Sequence, residues 1–193
     1  MNTSSNYVTT PELEQGLADV LDSPKDVGRL DAIFVRLKEN VHDARDVVVL
    51  SSEGGIEGDR WSTDHWQTLS DGRSDPSSQV SLINARLLKL IAGQSIATSL
   101  VGDNLVVDLD LSDENLPPGT RVRIGDTVVL EISDEAHTGC GTFSDRYGTQ
   151  VCQFVNSARG KSLNLRGCFA RILEGGTIKI GGPVSKTSGG QPG

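Results

Sequence analysis

The sequence predicts a mainly β fold, a closed or partly closed β-barrel with a few short helices, and three features predict it. Short apolar runs recur through most of the chain, separated by glycine- and proline-containing turns. Strand-like runs follow one another without the long intervening helices that βαβ units require, and no convincing internal repeat marks a solenoid or propeller. A length of 193 residues suits one all-β domain with a short appendage.

The elements follow in order. Leu13, Leu17, Val20 and Leu21 stand at helical spacing behind Thr10 and Pro11, a cap and a first-turn proline, which predicts a helix over 10–21. The run 29–37 is strand-like through Leu30, Ile33, Val35 and Leu37, and 47–50 adds a β-branched run. Residues 61–79 are almost wholly polar and read as a long loop beginning beside Gly54-Gly55-Ile56-Glu57-Gly58-Asp59-Arg60; long loops in compact domains often carry function. Leu87, Leu88 and Ile91 share one face behind Asn84, predicting a second helix that ends near Gly93. From 105 to 130 short apolar runs alternate around Asp and Arg, punctuated by Pro117-Pro118-Gly119 and Gly125-Asp126. Residues 150–155 read as a helix start or a buried segment. Residues 166–173 and 177–180 read as two strands joined through Glu174-Gly175-Gly176, and 185–193 as a flexible tail.

Composition narrows the function. A net charge of -8 argues against nucleic acid or acidic membrane as a partner, so an anionic ligand must meet a local basic pocket. The first ten residues lack the charged-then-apolar plan of a signal peptide and no run is long enough to span a membrane, which leaves a cytoplasmic location as the expectation. Three cysteines without paired spacing point to reduced thiols rather than a disulfide scaffold.

Cys140 is the leading chemical candidate. It stands between Gly139 and Gly141, three residues after His137, just beyond an apolar strand. Flanking glycines allow close approach to the sulfur, and an imidazolium at His137 would stabilise the thiolate, the nucleophilic and metal-binding form. The bland alternative is a small thiol buried in a turn. Cys152 and Cys168 lie in apolar runs that core packing explains. His137 and Cys140 supply only one of the two ligand pairs a structural zinc site needs. The segment Arg159-Gly160-Lys161-Ser162 imitates the tail of a P-loop, but Val155 occupies the position of its first glycine. Hydrolase and dinucleotide-binding signatures are missing too. Arg60, Arg73, Arg146, Arg159 and Arg166 fall in or beside loops, where a guanidinium fork suits phosphate.

Taken in order, several segments resemble the MOSC domain, the module related to the C-terminal part of molybdenum-cofactor sulfurases: Gly55-Ile56-Glu57-Gly58-Asp59-Arg60, Gly102-Asp103-Asn104-Leu105, Leu116-Pro117-Pro118-Gly119-Thr120-Arg121 with Ile124-Gly125, and His137-Thr138-Gly139-Cys140. Arg166-Gly167, Ala170-Arg171-Ile172-Leu173 and the run from Gly175 to Gly181 extend the likeness. Two positions depart from the family pattern: Gly181-Gly182-Pro183 replaces a closing Gly-Asp, and Gly139 replaces a proline before the cysteine.

The resemblance implies a MOSC-type β-barrel over 28–184, with 1–27 an N-terminal extension carrying the short helix and 185–193 the tail. It implies the molybdenum cofactor (molybdopterin) as cofactor, Cys140 as sulfur carrier or metal ligand, and Asn104, Arg166, Arg60 and Asp59 as cofactor-binding residues. His137 joins Cys140 as the candidate catalytic pair. Two enzyme readings stand open, a small reductase of N-hydroxylated compounds and a sulfur-transfer module. The pyridoxal-phosphate domain of full sulfurases does not fit in 193 residues, so sulfur or electrons would come from a donor or redox partner protein. The competing class is a non-catalytic module that binds a small anionic metabolite or a partner protein.

Overall fold

The computed structural model describes residues 7–64, 67–92 and 102–187. In chain order the elements are α1 (Thr10–Leu21), β1 (Val27–Lys38), β2 (Val41–Arg45), β3 (Val47–Ser51), β4 (Gly55–Ile56), α2 (Trp61–Asp64), a 3-10 turn (Pro76–Ser78), β5 (Val80–Asn84), α3 (Ala85–Ala92), β6 (Leu105–Asp108), β7 (Arg121–Ile124), β8 (Val128–Ile132), α4 (Gly141–Tyr147), α5 (Thr149–Asn156), α6 (Ala158–Ser162), β9 (Cys168–Glu174), β10 (Gly176–Lys179) and β11 (Pro183–Thr187). Seven strands close a barrel in the order β1, β6, β5, β9, β8, β7, β11 and back to β1, with β2 added along β1. The β5–β6 pair is parallel and the other barrel pairs are antiparallel. A small sheet of β10, β3 and β4 lies beside the barrel.

Two apolar clusters explain why the strands read as continuous rather than alternating runs. Side chains of successive strand residues point to opposite faces. Ile33 and Val35, Leu82, and Leu105 and Val107 fill the barrel, whereas Phe34, Ile83 and Val106 point outward into a second cluster with Leu13, Leu17, Leu87, Leu88, Val151 and Val155 of the helices. A strand buried on both faces has no polar side to show. Leu30 joins Ile33 inside the barrel despite its odd spacing, because the β1–β6 register shifts between Leu30 and Ala32.

Several expectations need correction. The residue before α1 is Thr9 rather than Thr10; the Glu12 carboxylate accepts from its backbone N–H at 2.8 Å and its hydroxyl at 2.7 Å. Strand β5 occupies what reads as the gap between a polar loop and a helix, and β2, α4 and α6 carry too little apolar periodicity to be foreseen. Strands β9 and β10 do not pair as a hairpin: β10 pairs with β3, where Ile178 joins Val48 and Leu50 in the barrel cluster. Strand β11 runs to Thr187, into the segment read as tail, because 185–187 pair with β7. The second helix forms behind Asn84 as expected, its Oδ1 accepting from the backbone of Arg86 and Leu87 at 2.9 and 3.0 Å, while its expected end at Gly93 lies outside the described residues.

Candidate functional site

One end of the barrel opens into a cleft of about 440 Å³. Arg36 reaches it from β1, His42 from β2, Arg60 from the turn before α2, His137 and Cys140 from the loop after β8, Arg146 from α4 and Arg166 from the loop before β9. The lining carries four guanidinium groups against the two carboxylates of Glu39 and Glu135. A locally basic cleft thus sits in a chain of net charge -8, the arrangement an anionic ligand requires.

Two of the arginines are fixed from behind. Asp59, buried, takes Arg36 through Nε at 3.0 Å and Nη2 at 2.8 Å, and accepts the backbone N–H groups of Arg36 at 2.8 Å and Trp61 at 2.9 Å. Burial alone would raise the Asp59 pKa, but the hydrogen bonds and charge of Arg36 outweigh it and hold the carboxyl below its usual value. Asn104 completes the set: its amide donates to Asp59 Oδ2 at 2.9 Å and to the Phe34 carbonyl at 3.2 Å, and its Oδ1 accepts from the Ser81 backbone at 3.1 Å. Arg166 is paired with Asp103, its Nη1 donating to the two carboxylate oxygens at 3.0 and 2.9 Å, and lies over the Phe143 ring with Cζ 4.8 Å from the centroid. Its Nε is buried without a hydrogen-bond partner among the described residues.

Arg166 owes its place to Gly167, whose φ is +98° and whose added Cβ would stand 2.1 Å from the Leu82 carbonyl oxygen. Only glycine permits both, so the chain turns against β5 there and delivers Arg166 to the cleft.

His137 occupies the cleft wall as a neutral ring. It stacks on Phe169 with centroids 4.1 Å apart, and its Nδ1 stands 3.6 Å from Asp103 Oδ1, beyond a hydrogen bond. Burial first, and then the charge of Arg166, push its pKa down to about 3 against the pull of Asp103. An imidazolium that stabilises a Cys140 thiolate is therefore not present near neutral pH, which corrects that part of the expectation. His42 is lowered too, by burial and by the charges of Arg146, Arg36 and Arg60, so both histidines register the positive potential of the cleft.

Cys140 is exposed at the N-cap of α4 and lines the cleft. Of the six residues expected at the site, Cys140, His137, Arg60 and Arg166 converge on it, whereas Asp59 and Asn104 stand behind and hold Arg36. Arg73 and Arg159 lie elsewhere, in exposed pairs with Asp71 and Glu14. Arg36 went unnoticed because it sits inside a strand-like run, between Val35 and Leu37; an arginine directly after Ile33, Phe34 and Val35 in a strand is the signal that would have found it. His42, Phe143 and Phe169 left no signal of their own. Among the described residues no three His, Cys, Asp or Glu side chains are grouped as a metal would need.

The profile of the MOSC domain matches residues 70–185. No curated protein matches the sequence. Among solved structures, the chain is similar to the YuaD protein of Bacillus subtilis, with 15% identity, 82% of this chain and 94% of that chain covered and a TM-score of 0.54. It is also similar to YiiM from Escherichia coli, at 16% identity, 85% and 72% coverage and a TM-score of 0.54. YiiM from Geobacillus stearothermophilus gives 14%, 83% and 75%, and 0.53.

Proposed function

The chain belongs to the MOSC domain family, a family associated with the molybdenum cofactor, and from that membership and its basic cleft we propose that it is a cofactor-linked protein whose Cys140 serves as molybdenum ligand or sulfur carrier. The observation that carries the reading is an exposed thiol in the wall of an arginine-lined cleft.

The donor set fits the group. A buried N–H without a partner costs about 1–3 kcal/mol, and the Arg166 Nε would recover that cost against an anion such as a pterin phosphate. Arg60 and Arg146 would add charge-assisted bonds at the same phosphate. Cys140 is the one cysteine of the cleft lining, and the described residues group no further His, Cys, Asp or Glu ligands for a metal, so its remaining ligands would come from the cofactor. When bound, the cofactor supplies two-electron redox chemistry. The chain's own part is to bind the phosphate through its arginines, to line the cleft with the Phe143 and Phe169 rings, and to offer a neutral imidazole that donates or accepts one hydrogen bond. In the reductase reading this serves an N-hydroxylated substrate; in the sulfur-transfer reading Cys140 receives sulfur from a donor protein.

The test is the molybdenum and pterin content of protein produced in a cofactor-competent host. Both groups in the parent, with molybdenum lost and pterin kept in Cys140→Ser, support the ligand role. Pterin without molybdenum in the parent favours the sulfur carrier, and neither group in either protein sinks the cofactor reading in favour of a module for another small anion.

A further inference from the structure

We propose that Cys140 and Cys152 are a dithiol pair that closes to a reversible disulfide, with Cys152 the resolving thiol that removes the cleft thiol from service. The pair goes beyond the cofactor reading and stands independently of it. The loop carrying Cys140 is clamped to α5. Asn156 accepts the Gly139 N–H at 2.9 Å and donates to the Gly139 carbonyl at 2.9 Å. One helical turn back on the same face, Cys152 directs its sulfur at the Cys140 carbonyl oxygen, 3.8 Å away. A carbonyl oxygen lies about 2.4 Å from its own Cα, which puts the Cys152 sulfur within about 6 Å of the Cys140 Cα.

Glycine at position 139 permits this approach. A Cβ there would meet Asn156 Nδ2 at 3.1 Å and the Cys152 sulfur at 3.2 Å. The glycines that suggested room for a ligand therefore divide their roles: Gly139 admits α5, while a Cβ on Gly141 would meet nothing within 4 Å, so that side of Cys140 is open. Disulfides span Cα separations of about 4.4–6.8 Å and Cβ separations of about 3.5–4.5 Å, so closing the pair requires Cys140 to turn its side chain toward α5 and its backbone to approach Cys152, with Gly139 staying on Asn156. Cys152 packs against the helix-side apolar cluster as expected, but it is only half-buried and also touches the loop that carries Cys140. Cys168 takes no part, being buried in the barrel.

The oxidant is a small disulfide such as oxidised glutathione. The Cys140 thiolate attacks one of its sulfurs, forms a mixed disulfide and releases one glutathione thiolate. Cys152, giving up its proton, then attacks the Cys140 sulfur and expels the second glutathione. Two protein thiols are oxidised to one disulfide and one oxidised glutathione is reduced to two thiols, and a dithiol reductant reverses both steps.

Intact-mass measurement and non-reducing peptide mapping after treatment with oxidised glutathione test the pair without any cofactor. The parent should lose two hydrogens, carry no lasting adduct and yield a linked Cys140–Cys152 peptide, while Cys152→Ser should accumulate one glutathione on Cys140. A stable adduct on the parent, an unreacted Cys140, or a linkage to Cys168 overturns the proposal. The molybdenum content of the parent is measured separately, so failure here leaves the cofactor reading to its own test.

Discussion

His137 shows how burial redirects a residue that sequence alone points toward acid–base work. Its folded pKa of about 3 lies below the ordinary 6.5, so between those values the unfolded chain binds a proton that the folded one does not. The contribution is fully present above about pH 6.5 and is lost as pH falls toward about 3, at about 1.4 kcal/mol per pH unit. We expect His137→Phe, which keeps the stacking on Phe169, to cut the loss of stability between pH 7 and pH 5 by about 2 kcal/mol in urea titrations; parallel titrations of parent and variant would refute the assignment. The neutral ring also predicts that His137→Ala leaves the pH profile of Cys140 alkylation superimposable on the parent's. For the arginines, burial decides which substitution is informative. Arg166→Ala would leave Asp103 buried and unpaired, a destabilisation of about 3–5 kcal/mol that masks any binding effect. Arg146 is half-buried and donates to the neutral Asn40 at 2.8 Å. Arg146→Gln should therefore weaken binding of a pterin phosphate by about 1 kcal/mol with an unchanged melting temperature, and unchanged affinity would remove it from the site.

At the scale of elements, the readable ones were those with their own periodicity or punctuation. The first helix matches its expected span because Leu13, Leu17 and Val20 repeat on one buried face, with Leu21 left exposed, and the second is set by Asn84. Strand β5 was hidden because Val80–Asn84 is buried throughout, so it shows no alternation, and β10 was given the wrong neighbour because two glycines look alike whether the chain turns back or crosses to another sheet. The same limit applies to the site. Motifs named Asp59 and Asn104 but not their work, which is to hold Arg36 from across the barrel wall, a relation between β1, the bend before β6 and the turn before α2 that no local pattern encodes. The Arg166-Gly167 step is where local and global requirements meet. Gly167→Ala adds a left-handed penalty to a clash with the Leu82 carbonyl, so we expect a loss of about 2–3 kcal/mol or more. Thermal melting checks the stability, and a cost under about 1 kcal/mol would show that the loop relaxes freely.

Across the whole molecule the electrostatics pull in opposite directions. The cleft arginines attract an anion at contact, but Arg36, Arg60 and Arg166 stand against Asp59, Asp64 and Asp103, so their fields largely cancel beyond the cleft. What an approaching ligand meets at longer range is the net charge of -8. Screening acts on the long-range part first, because the Debye length falls from about 30 Å at 0.01 M salt to about 10 Å at 0.1 M, while contacts inside a partly buried site are screened much less. Association of a doubly charged pterin phosphate should therefore quicken as salt rises over that range, by roughly a few-fold, while dissociation changes less. Stopped-flow fluorescence at several salt concentrations separates the two rates. An association rate that instead falls steeply with salt would mean that the cleft steers its ligand from a distance, and that the carboxylates behind the arginines do not confine their pull to contact range.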